Sequence, residues 1–317
     1  MKHLLMFIFI AAMAAGGCRN SGSSKTEEII IFHAGSLSVP FKQLADAYEK
    51  KNPGVRILRE SAGSLVCARK ITELKKPCDI IASADYFVID ELLIPEYTSW
   101  SIRFATNEIV IAFQEKSKYS AEIDSVNWMD ILLRNDVTFS RSDPDSDPCG
   151  YRTVLTFRLA EKYYDKPGLA DELISKNRDF IRPKEVDLVA LIESNAVDYM
   201  FQYKSVAVQH NLKYIKLPDE INLSDPAKNN IYKSVSIDVA GSSPGSKITV
   251  MGDYINYSLS ILRDALNNEA AIAFVSFLLS REGLEIIRKN GQEPIIPLIA
   301  DYPEYIPGTL REYLTIK

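Results

Sequence analysis

The tetrapeptide Ala-Gly-Ser-Leu occurs twice near the amino terminus, at residues 34–37 and 62–65, each time between a strand-like and a helix-like segment. Glycine permits a tight turn, and serine is a favourable helix N-cap whose hydroxyl can also face outward. The helix that follows directs its free backbone N–H groups and its positive dipole end at the same point. Ser36 and Ser64 are therefore candidate anion ligands, although two ordinary helix-capping turns would have the same sequence.

Two further segments carry polar groups between a strand and a helix. In residues 143–152, Asp147 is either a ligand or the N-cap of the next helix, and Gly150 lets the backbone approach a bound group closely. Tyr203 follows a predicted strand and offers a phenolic O–H, or it is a core aromatic residue. In a doubly wound sheet all these positions lie at the carboxyl ends of strands, where ligands bind.

The elements that must position these residues alternate between strands and helices. Residues 27–32, 55–60 and 78–85 are predicted to be strands, and apolar residues recur at helical spacing between them. This rhythm predicts a parallel sheet with right-handed crossovers, and hence the α/β class. Later elements are predicted as strands at 107–113, 136–140 and 197–203, a long helix from about residue 151, and a helical region at 268–291 with a break at Glu282–Gly283.

Composition excludes several classes of function. The 317 residues include 37 basic and 42 acidic side chains, giving a formal net charge of −5, and this mild acidity argues against a nucleic-acid partner. With three histidines and no His-Glu-x-x-His or Cys-x-x-Cys pattern, neither a zinc site nor a Ser-His-Asp triad is expected. A secreted hydrolase with His33 or His210 as base is the enzymatic alternative, but it lacks a Gly-x-Ser-x-Gly motif.

Residues 1–17 have the features of an export signal. Eleven apolar residues, Leu4–Ala14, are too few to cross a bilayer, which needs about 20, and small residues precede Cys18. This ending resembles a bacterial lipobox, although Ala15 stands where leucine is usual. We therefore expect an exported protein that is lipidated on Cys18 and anchored to the cell envelope, with residues 18–26 as a flexible tether.

Three further cysteines, Cys67, Cys78 and Cys149, follow in the chain. Because their number is odd, at least one of them stays unpaired. A disulfide between Cys67 and Cys78 requires their Cβ atoms to face each other, which the sequence leaves open.

Five segments together resemble the molybdate- and tungstate-binding proteins of ABC importers, most closely the archaeal-type tungstate-binding branch. These segments are residues 33–37, 61–65, 82–86, 147–152 and 203–210. The resemblance covers nearly the whole chain from about Glu28, and residues 147–152 are its most specific element. It implies a type II periplasmic-binding-protein fold, with two α/β lobes, two crossover strands and an oxyanion in the cleft. Lobe one would comprise residues 27–107 and 247–317, and lobe two residues 108–246.

The resemblance also implies the site residues. Ser36 and Ser64 would donate from lobe one, and Asp147, Cys149 (through its backbone N–H) and Tyr203 would line lobe two. In the archaeal-type branch, a carboxylate of the 147–152 segment and a glutamate just before the equivalent of Tyr203 bind the metal directly. That second position is occupied here by Gln202, a much weaker ligand, so the coordination number stays open and Asp147 is the candidate metal ligand.

The implied function is capture of molybdate or tungstate by closure of the lobes, followed by delivery to an ABC permease. The protein would be a monomer, not an enzyme, and its ligand would be cargo rather than a cofactor. A receptor for sulfate or phosphate is the alternative within the same class. The residues do not indicate whether molybdate or tungstate binds more tightly.

Overall fold

The computed structural model describes residues 26–241, 243 and 245–315. The predicted export signal, the candidate lipidation site Cys18 and most of the predicted tether lie outside these residues. In the described part of the chain, no helix is long and apolar enough to cross a membrane.

The chain forms two lobes in three stretches of sequence. The first stretch contributes β1 (Glu27–Ala34), α1 (Ser38–Lys51), β2 (Val55–Ala62), α2 (Ser64–Thr72), β3 (Ile80–Ser83), α3 (Tyr86–Leu92) and β4 (Ser101–Thr106) to lobe one. The second forms lobe two with β5 (Ile109–Phe113), α4 (Trp128–Leu132), β6 (Phe139–Ser140), α5 (Pro148–Tyr163), α6 (Leu169–Ser175), α7 (Leu188–Glu193), β7 (Tyr199–Tyr203), α8 (Lys204–Gln209), β8 (Lys213–Lys216), α9 (Asn229–Tyr232), β9 (Ser236–Ala240) and β10 (Lys247–Met251). The third returns to lobe one with β11 (Asn256–Ile261), α10 (Asn268–Leu279), α11 (Arg281–Lys289), β12 (Glu293–Asp301) and α12 (Gly308–Arg311).

Lobe one is built on a six-stranded mixed sheet in the order β12-β4-β11-β3-β1-β2. β1 pairs in parallel with both β2 and β3, as the alternating sequence pattern predicts. The register of β1 and β2 places Ala34 opposite Ala62. Because these alanines open the two Ala-Gly-Ser-Leu segments, both turns begin at the same level of the sheet edge.

Lobe two is built on a four-stranded sheet in the order β6-β7-β5-β8. An aromatic cluster joins this sheet to α5, with the Phe157 ring centroid 4.7 Å from that of Phe201 and 6.4 Å from that of Phe139. Burial of these large rings contributes much of the packing energy of the lobe. This packing holds the amino end of α5, which carries Asp147, against the cleft.

The chain crosses between the lobes at residues 107–108 and again at residues 252–255. The boundary expected at residue 247 separates β9 from β10, yet these strands pair as an antiparallel hairpin. This hairpin packs on lobe two, where the Arg158 guanidinium donates to the Ser236 carbonyl oxygen. The hairpin therefore lies with the elements of lobe two, and β11 is the next strand of the lobe-one sheet.

The three cysteines in the described part of the chain are free and buried. The Cys67 thiol donates to the His33 carbonyl oxygen at 3.6 Å, and the Cys78 thiol donates to the Ile80 carbonyl oxygen at 3.1 Å. The disulfide that the sequence left open is therefore not formed in this structure.

Candidate functional site

The two Ala-Gly-Ser-Leu turns form the lobe-one side of the cleft. Gly35–Leu37 make one 3₁₀ turn before α1, and Ser64 is the first residue of α2. Both serines are fully buried. The Ser64 hydroxyl oxygen accepts a hydrogen bond from the Ala84 backbone N–H at 3.0 Å, and that of Ser36 accepts one from the Tyr257 phenol at 2.9 Å. Each serine therefore keeps its own proton for a further acceptor.

The glycines of these turns are where the lobes touch. A Cβ atom at Gly63 would lie 2.2 Å from the Ser146 carbonyl oxygen, and one at Gly35 would lie 2.7 Å from Oε2 of Glu185. Gly63 has φ −60° and ψ 144°, which any residue can adopt. The close approach of lobe two, rather than the turn itself, therefore requires glycine at this position.

Asp147 is the N-cap at the amino end of α5, and its two carboxylate oxygens have different surroundings. Its Oδ1 accepts a hydrogen bond from the Cys149 backbone N–H at 3.3 Å and so caps the helix. Its Oδ2 is buried and has no hydrogen-bond partner among the described residues. One oxygen of Asp147 is thus structural, and the other is available to a ligand.

A second carboxylate, which no sequence pattern predicted, lies beside Asp147. Glu185 opens the 3₁₀ turn Glu185–Asp187 and is fully buried. Its Oε1 accepts a hydrogen bond from the Ser36 backbone N–H across the cleft, and its Oε2 has no partner in the described part of the chain. A glutamate before an apolar helical run is typical of a solvated first turn, so the sequence contains no signal for this role.

Backbone pairing brings the two carboxylates together. Ser142 and Arg182 form an isolated parallel bridge, in which the Asp143 N–H donates to the Arg182 carbonyl oxygen at 2.8 Å. Asp147 and Glu185 follow within a few residues of this bridge on the two paired segments. The bridge therefore directs both side chains toward the same end of lobe two.

Gln202 is buried in β7, but its amide binds protein groups. Its Nε2 donates to the Glu185 carbonyl oxygen at 2.7 Å, and its Oε1 accepts from the Tyr203 backbone N–H at 2.8 Å. In this structure both amide atoms of Gln202 therefore bind backbone groups of the protein. The second carboxylate comes from Glu185, and Gln202 holds the Glu185 backbone in place.

Tyr203 and Cys149 are also completely buried at this end of lobe two. The Tyr203 phenol oxygen accepts a hydrogen bond from the Arg152 guanidinium at 2.9 Å, which leaves the phenol proton free. The Cys149 N–H, expected to face the ligand, is engaged by Asp147, and its thiol sulfur lies 3.8 Å from Oε1 of Gln202. Tyr203 is thus available as a donor, whereas Cys149 supports Asp147.

A buried ion pair joins the lobes next to these residues. Asp85 caps α3 by accepting from the Phe87 N–H at 3.2 Å, and its Oδ2 accepts from the Tyr151 phenol at 2.6 Å. The Arg152 guanidinium lies 2.8 Å from the same Oδ2 and donates to the Ala84 carbonyl oxygen at 2.5 Å. The side chains of Arg152 and Asp85 are only 3% and 7% exposed. The amino end of α5 is thereby tied to the end of β3.

A sequence model of the family described as bacterial extracellular solute-binding protein matches residues 29–293. The molybdate/tungstate-binding protein WtpA of Pyrococcus abyssi is 45% identical, over 97% of this chain and 96% of the relative. WtpA of Thermococcus kodakarensis is 43% identical, over 97% of this chain and 94% of the relative. The chain belongs to the bacterial extracellular solute-binding family.

Solved structures share the fold. The periplasmic molybdate-binding protein of Azotobacter vinelandii aligns with a TM-score of 0.62 at 17% identity, over 85% of this chain and 99% of that one. The sulfate-binding protein SubI of Mycobacterium tuberculosis aligns with a TM-score of 0.60 at 12% identity, over 86% of this chain and 88% of that one. The predicted two-lobed periplasmic-binding-protein fold is confirmed.

This solute-binding chain is not an enzyme, and the placement of its histidines does not support the hydrolase interpretation. The Nδ1 atom of His33 lies 2.8 Å from the Ala34 carbonyl oxygen, and burial lowers the pKa of His33 to about 4. His210 is partly exposed and lies 4.0 Å from a carboxylate oxygen of Glu193. Within the described residues, neither imidazole forms a hydrogen bond to Ser36 or Ser64.

This solute-binding protein has two acidic centres, the pair Asp147–Glu185 and the ion pair of Asp85 with Arg152. The electrostatic surroundings of their carboxyl groups differ. Burial raises the pKa of Asp147 well above its usual range, and the neighbouring Glu185 raises it further. Burial also raises the pKa of Glu185, although the hydrogen bond from the Ser36 backbone N–H opposes the rise. Two buried carboxyl groups side by side favour retention of a proton in the absence of a ligand. At Asp85, burial raises the pKa but the Arg152 charge opposes it.

No group of three or more His, Cys, Asp or Glu side chains in the described residues is placed to hold a metal ion. Asp147 and Glu185 supply two carboxylates only.

Proposed function

We propose that this chain captures molybdate or tungstate between its lobes and delivers the anion to an ABC permease. The observation that carries the proposal is the pair Asp147 and Glu185, each with one buried oxygen that lacks a partner in the described structure. A carboxylate repels an oxyanion that has no proton to donate, so such a pair is unsuited to sulfate. Molybdenum(VI) and tungsten(VI) accept further oxygen ligands, and this converts the two carboxylates from repulsive neighbours into metal ligands.

Neutral donors would bind the oxygens of the anion. The hydroxyl oxygens of Ser36, Ser64 and Tyr203 each accept a hydrogen bond from a group behind them, so all three protons are free for the ligand. Hydrogen bonds to an ionised acceptor are stronger than neutral ones, and the amino end of α2 adds its dipole. Four oxo groups and two carboxylate oxygens would give the metal six ligands.

The relatives support this choice of ligand. Two relatives at 45% and 43% identity over nearly the whole chain are named molybdate/tungstate-binding proteins. Within the proposal Asp147 and Glu185 are the metal ligands, whereas Gln202 positions Glu185 through the hydrogen bond to its carbonyl oxygen.

Transport requires the lobes to open and close. We propose that lobe one consists of residues 27–107 and 252–317, and that movement occurs about the crossing segments 107–108 and 252–255. A ligand that contacts both lobes has differential affinity for the closed state, and this shifts the population toward closure. The closed monomer would then dock on the permease.

Anchoring by a lipid on Cys18 is a separate part of the proposal and is consistent with an extracellular solute-binding family. In cells expressing the full chain, we expect incorporation of labelled palmitate and recovery of the protein with membranes. Cys18→Ala should abolish both. A Cys18→Ala protein that remains lipidated would contradict this assignment.

Calorimetric titration with molybdate, tungstate, sulfate and phosphate tests the choice of ligand. Wild type should bind only the two oxometalates. Asp147→Asn and Glu185→Gln should each weaken binding about 100-fold, a loss comparable to removal of a buried charged interaction. Glu161→Gln is the matched control, because Glu161 lies in the same lobe and its carboxylate accepts from the Ala170 N–H. Preferential binding of sulfate or phosphate by wild type would contradict the proposal.

X-ray absorption at the tungsten edge tests the direct bond to the carboxylates. The wild-type complex should show six-coordinate tungsten, and Glu185→Gln should lower the coordination number. A four-coordinate spectrum for wild type would contradict direct metal–carboxylate bonds, but it would still be consistent with binding of the anion.

A further inference from the structure

A chain of hydrogen bonds runs from the first crossing segment to the Ser36 hydroxyl. Asn107 stands at the crossing, and its Oδ1 accepts from the backbone N–H groups of Glu108 at 3.0 Å and Ser205 at 3.3 Å. Both of these groups can only donate, so the orientation of the Asn107 amide is determined. Its Nδ2 must therefore face the other two partners, the Ser205 hydroxyl at 2.8 Å and the Tyr257 phenol at 3.1 Å.

The direction of the chain continues through Tyr257. Since an amide nitrogen cannot accept, the phenol oxygen accepts from Asn107, and the phenol proton is donated to the Ser36 hydroxyl oxygen at 2.9 Å. Burial raises the pKa of Tyr257, which keeps the phenol protonated near neutral pH. Every bond in this chain thus points from the crossing segment toward the cleft.

The direction of these hydrogen bonds determines what the Ser36 hydroxyl can do. Its oxygen is occupied by the Tyr257 proton, so its own proton is directed to another acceptor. The Glu185 carboxylate lies on this side of Ser36, since its Oε1 accepts from the Ser36 backbone N–H across the cleft. An oxometalate bound by Glu185 would place an acceptor oxygen in the same region.

We propose, on the basis of the proposed function, that Asn107 and Tyr257 are positioning residues that hold Ser36 as a hydrogen-bond donor to the bound anion. Ser64 and Tyr203 have equivalent support, from the Ala84 N–H and the Arg152 guanidinium respectively. The chain behind Ser36 differs because Asn107 and Tyr257 adjoin the two crossing segments. The donor state of Ser36 therefore depends on the arrangement of those segments.

A double-mutant cycle tests the proposal, with the dissociation constant for tungstate as the readout. Tyr257→Phe should raise the constant about tenfold in the wild-type background, by loss of one oriented hydrogen bond. In the Ser36→Ala background the same substitution should change it less than about twofold, because Tyr257 acts through Ser36. Equal losses in the two backgrounds would overturn the proposal, since they would indicate a merely structural role.

Asn107→Asp reverses the direction of the hydrogen bond between residue 107 and Tyr257, while the shape of the side chain is kept. A carboxylate at position 107 still accepts from the two backbone N–H groups, but it also accepts from the Tyr257 phenol, so Ser36 loses its donor. The added negative charge weakens anion binding in both backgrounds, so we expect the loss of affinity to be about tenfold larger with Ser36 present than in Ser36→Ala. Wild-type affinity in Asn107→Asp would overturn the proposal, and this variant also serves if Tyr257→Phe fails to fold.

Tyr164→Phe is the matched control, because the Tyr164 phenol donates to the Ser125 carbonyl oxygen within lobe two at 2.7 Å. Its affinity should equal that of wild type, and a tenfold loss here would overturn the assignment of the effect to Ser36. Absence of tungstate binding by wild type would defeat the proposed function and this inference together. Binding by wild type with an additive cycle would defeat this inference alone.

Discussion

Asp85 and Asp147 have the same local structure but different electrostatic surroundings. Each is the N-cap of a helix, with φ and ψ of −143° and 129° at Asp85 and −144° and 131° at Asp147. In each, Oδ1 accepts from the backbone N–H two residues later. Oδ2 of Asp85 receives Tyr151 and Arg152, whereas Oδ2 of Asp147 is buried beside another carboxylate.

The difference shows how one capping motif can serve two purposes. At Asp85 the second oxygen is satisfied by groups of the opposite lobe, so the charge holds the lobes together. At Asp147 the second oxygen remains unsatisfied, which costs stability until a ligand arrives. The first two of the four predictions below alter these centres and the last two alter groups outside them, beginning with the largest expected effect.

Arg152→Met removes the counter-charge of Asp85 and should have the largest effect. Breaking one side of a buried ion pair costs about 3–5 kcal/mol. Since separation of the lobes would let water reach Asp85, we expect this cost to appear as opening, with a larger radius of gyration by X-ray scattering and at least 100-fold weaker binding of tungstate. Arg158→Met on the same helix is the control, and equal affinities for the two variants would contradict the role of the ion pair.

The same Asp→Asn change should have opposite effects at the two centres. Asparagine is as good an N-cap as aspartate, so both helices keep their caps. Asp85→Asn should lower the free energy of unfolding of the unliganded protein by about 2 kcal/mol, because Arg152 loses its partner. Asp147→Asn should raise it by about 1 kcal/mol, because burial raises the pKa of Asp147, so folding at pH 7 must protonate or bury this carboxylate, a cost that asparagine does not carry. Denaturant unfolding at pH 7 measures both, and shifts of the same sign would refute the contrast.

Gly63→Ala should weaken closure without disturbing the local backbone. The added Cβ would lie 2.2 Å from the Ser146 carbonyl oxygen, so the lobes must separate slightly. Overpacking of this kind costs about 1–3 kcal/mol, which corresponds to roughly 5- to 150-fold weaker tungstate binding. Gly54→Ala, where no atom lies within 4 Å of the added carbon, is the control. Unchanged affinity in Gly63→Ala would show that this contact does not limit closure.

His33 gives the smallest effect and lies outside both acidic centres. Its pKa is lowered by burial from 6.5 to about 4, so the unfolded chain binds the proton first as the pH falls. The contribution of neutral His33 to stability is therefore present above pH 6.5 and lost as the pH falls toward 4. Between pH 7 and 5.5 this amounts to about 1 kcal/mol of unfolding free energy. The fall should be absent in His33→Gln, and an equal fall in that variant would assign it to other groups.

Elements whose signals are local were predictable. The apolar runs and helical spacings of residues 27–85 place β1, α1, β2, α2 and β3 close to their observed positions. β12 was not predicted, because Pro294 and Pro297 interrupt its pattern, and such a strand is tolerated only because it lies at the sheet edge. The break in the last helical region falls at Ser280 instead of Glu282–Gly283, since the Ser280 hydroxyl accepts from the Gly283 N–H and caps α11.

The sequence by itself determined the α/β class, the two matched turns and the acidic cap of α5, because short-range spacing and capping chemistry encode them. Only the tertiary structure decided which polar groups meet in the cleft. Ser36 reaches Glu185 across 149 residues and Tyr257 across 221, and Asp85 reaches Tyr151 across 66. No local sequence pattern indicates partners that are so far apart in the chain. Whether a buried carboxylate becomes a structural tie or a ligand therefore depends on what the folded chain places against its second oxygen.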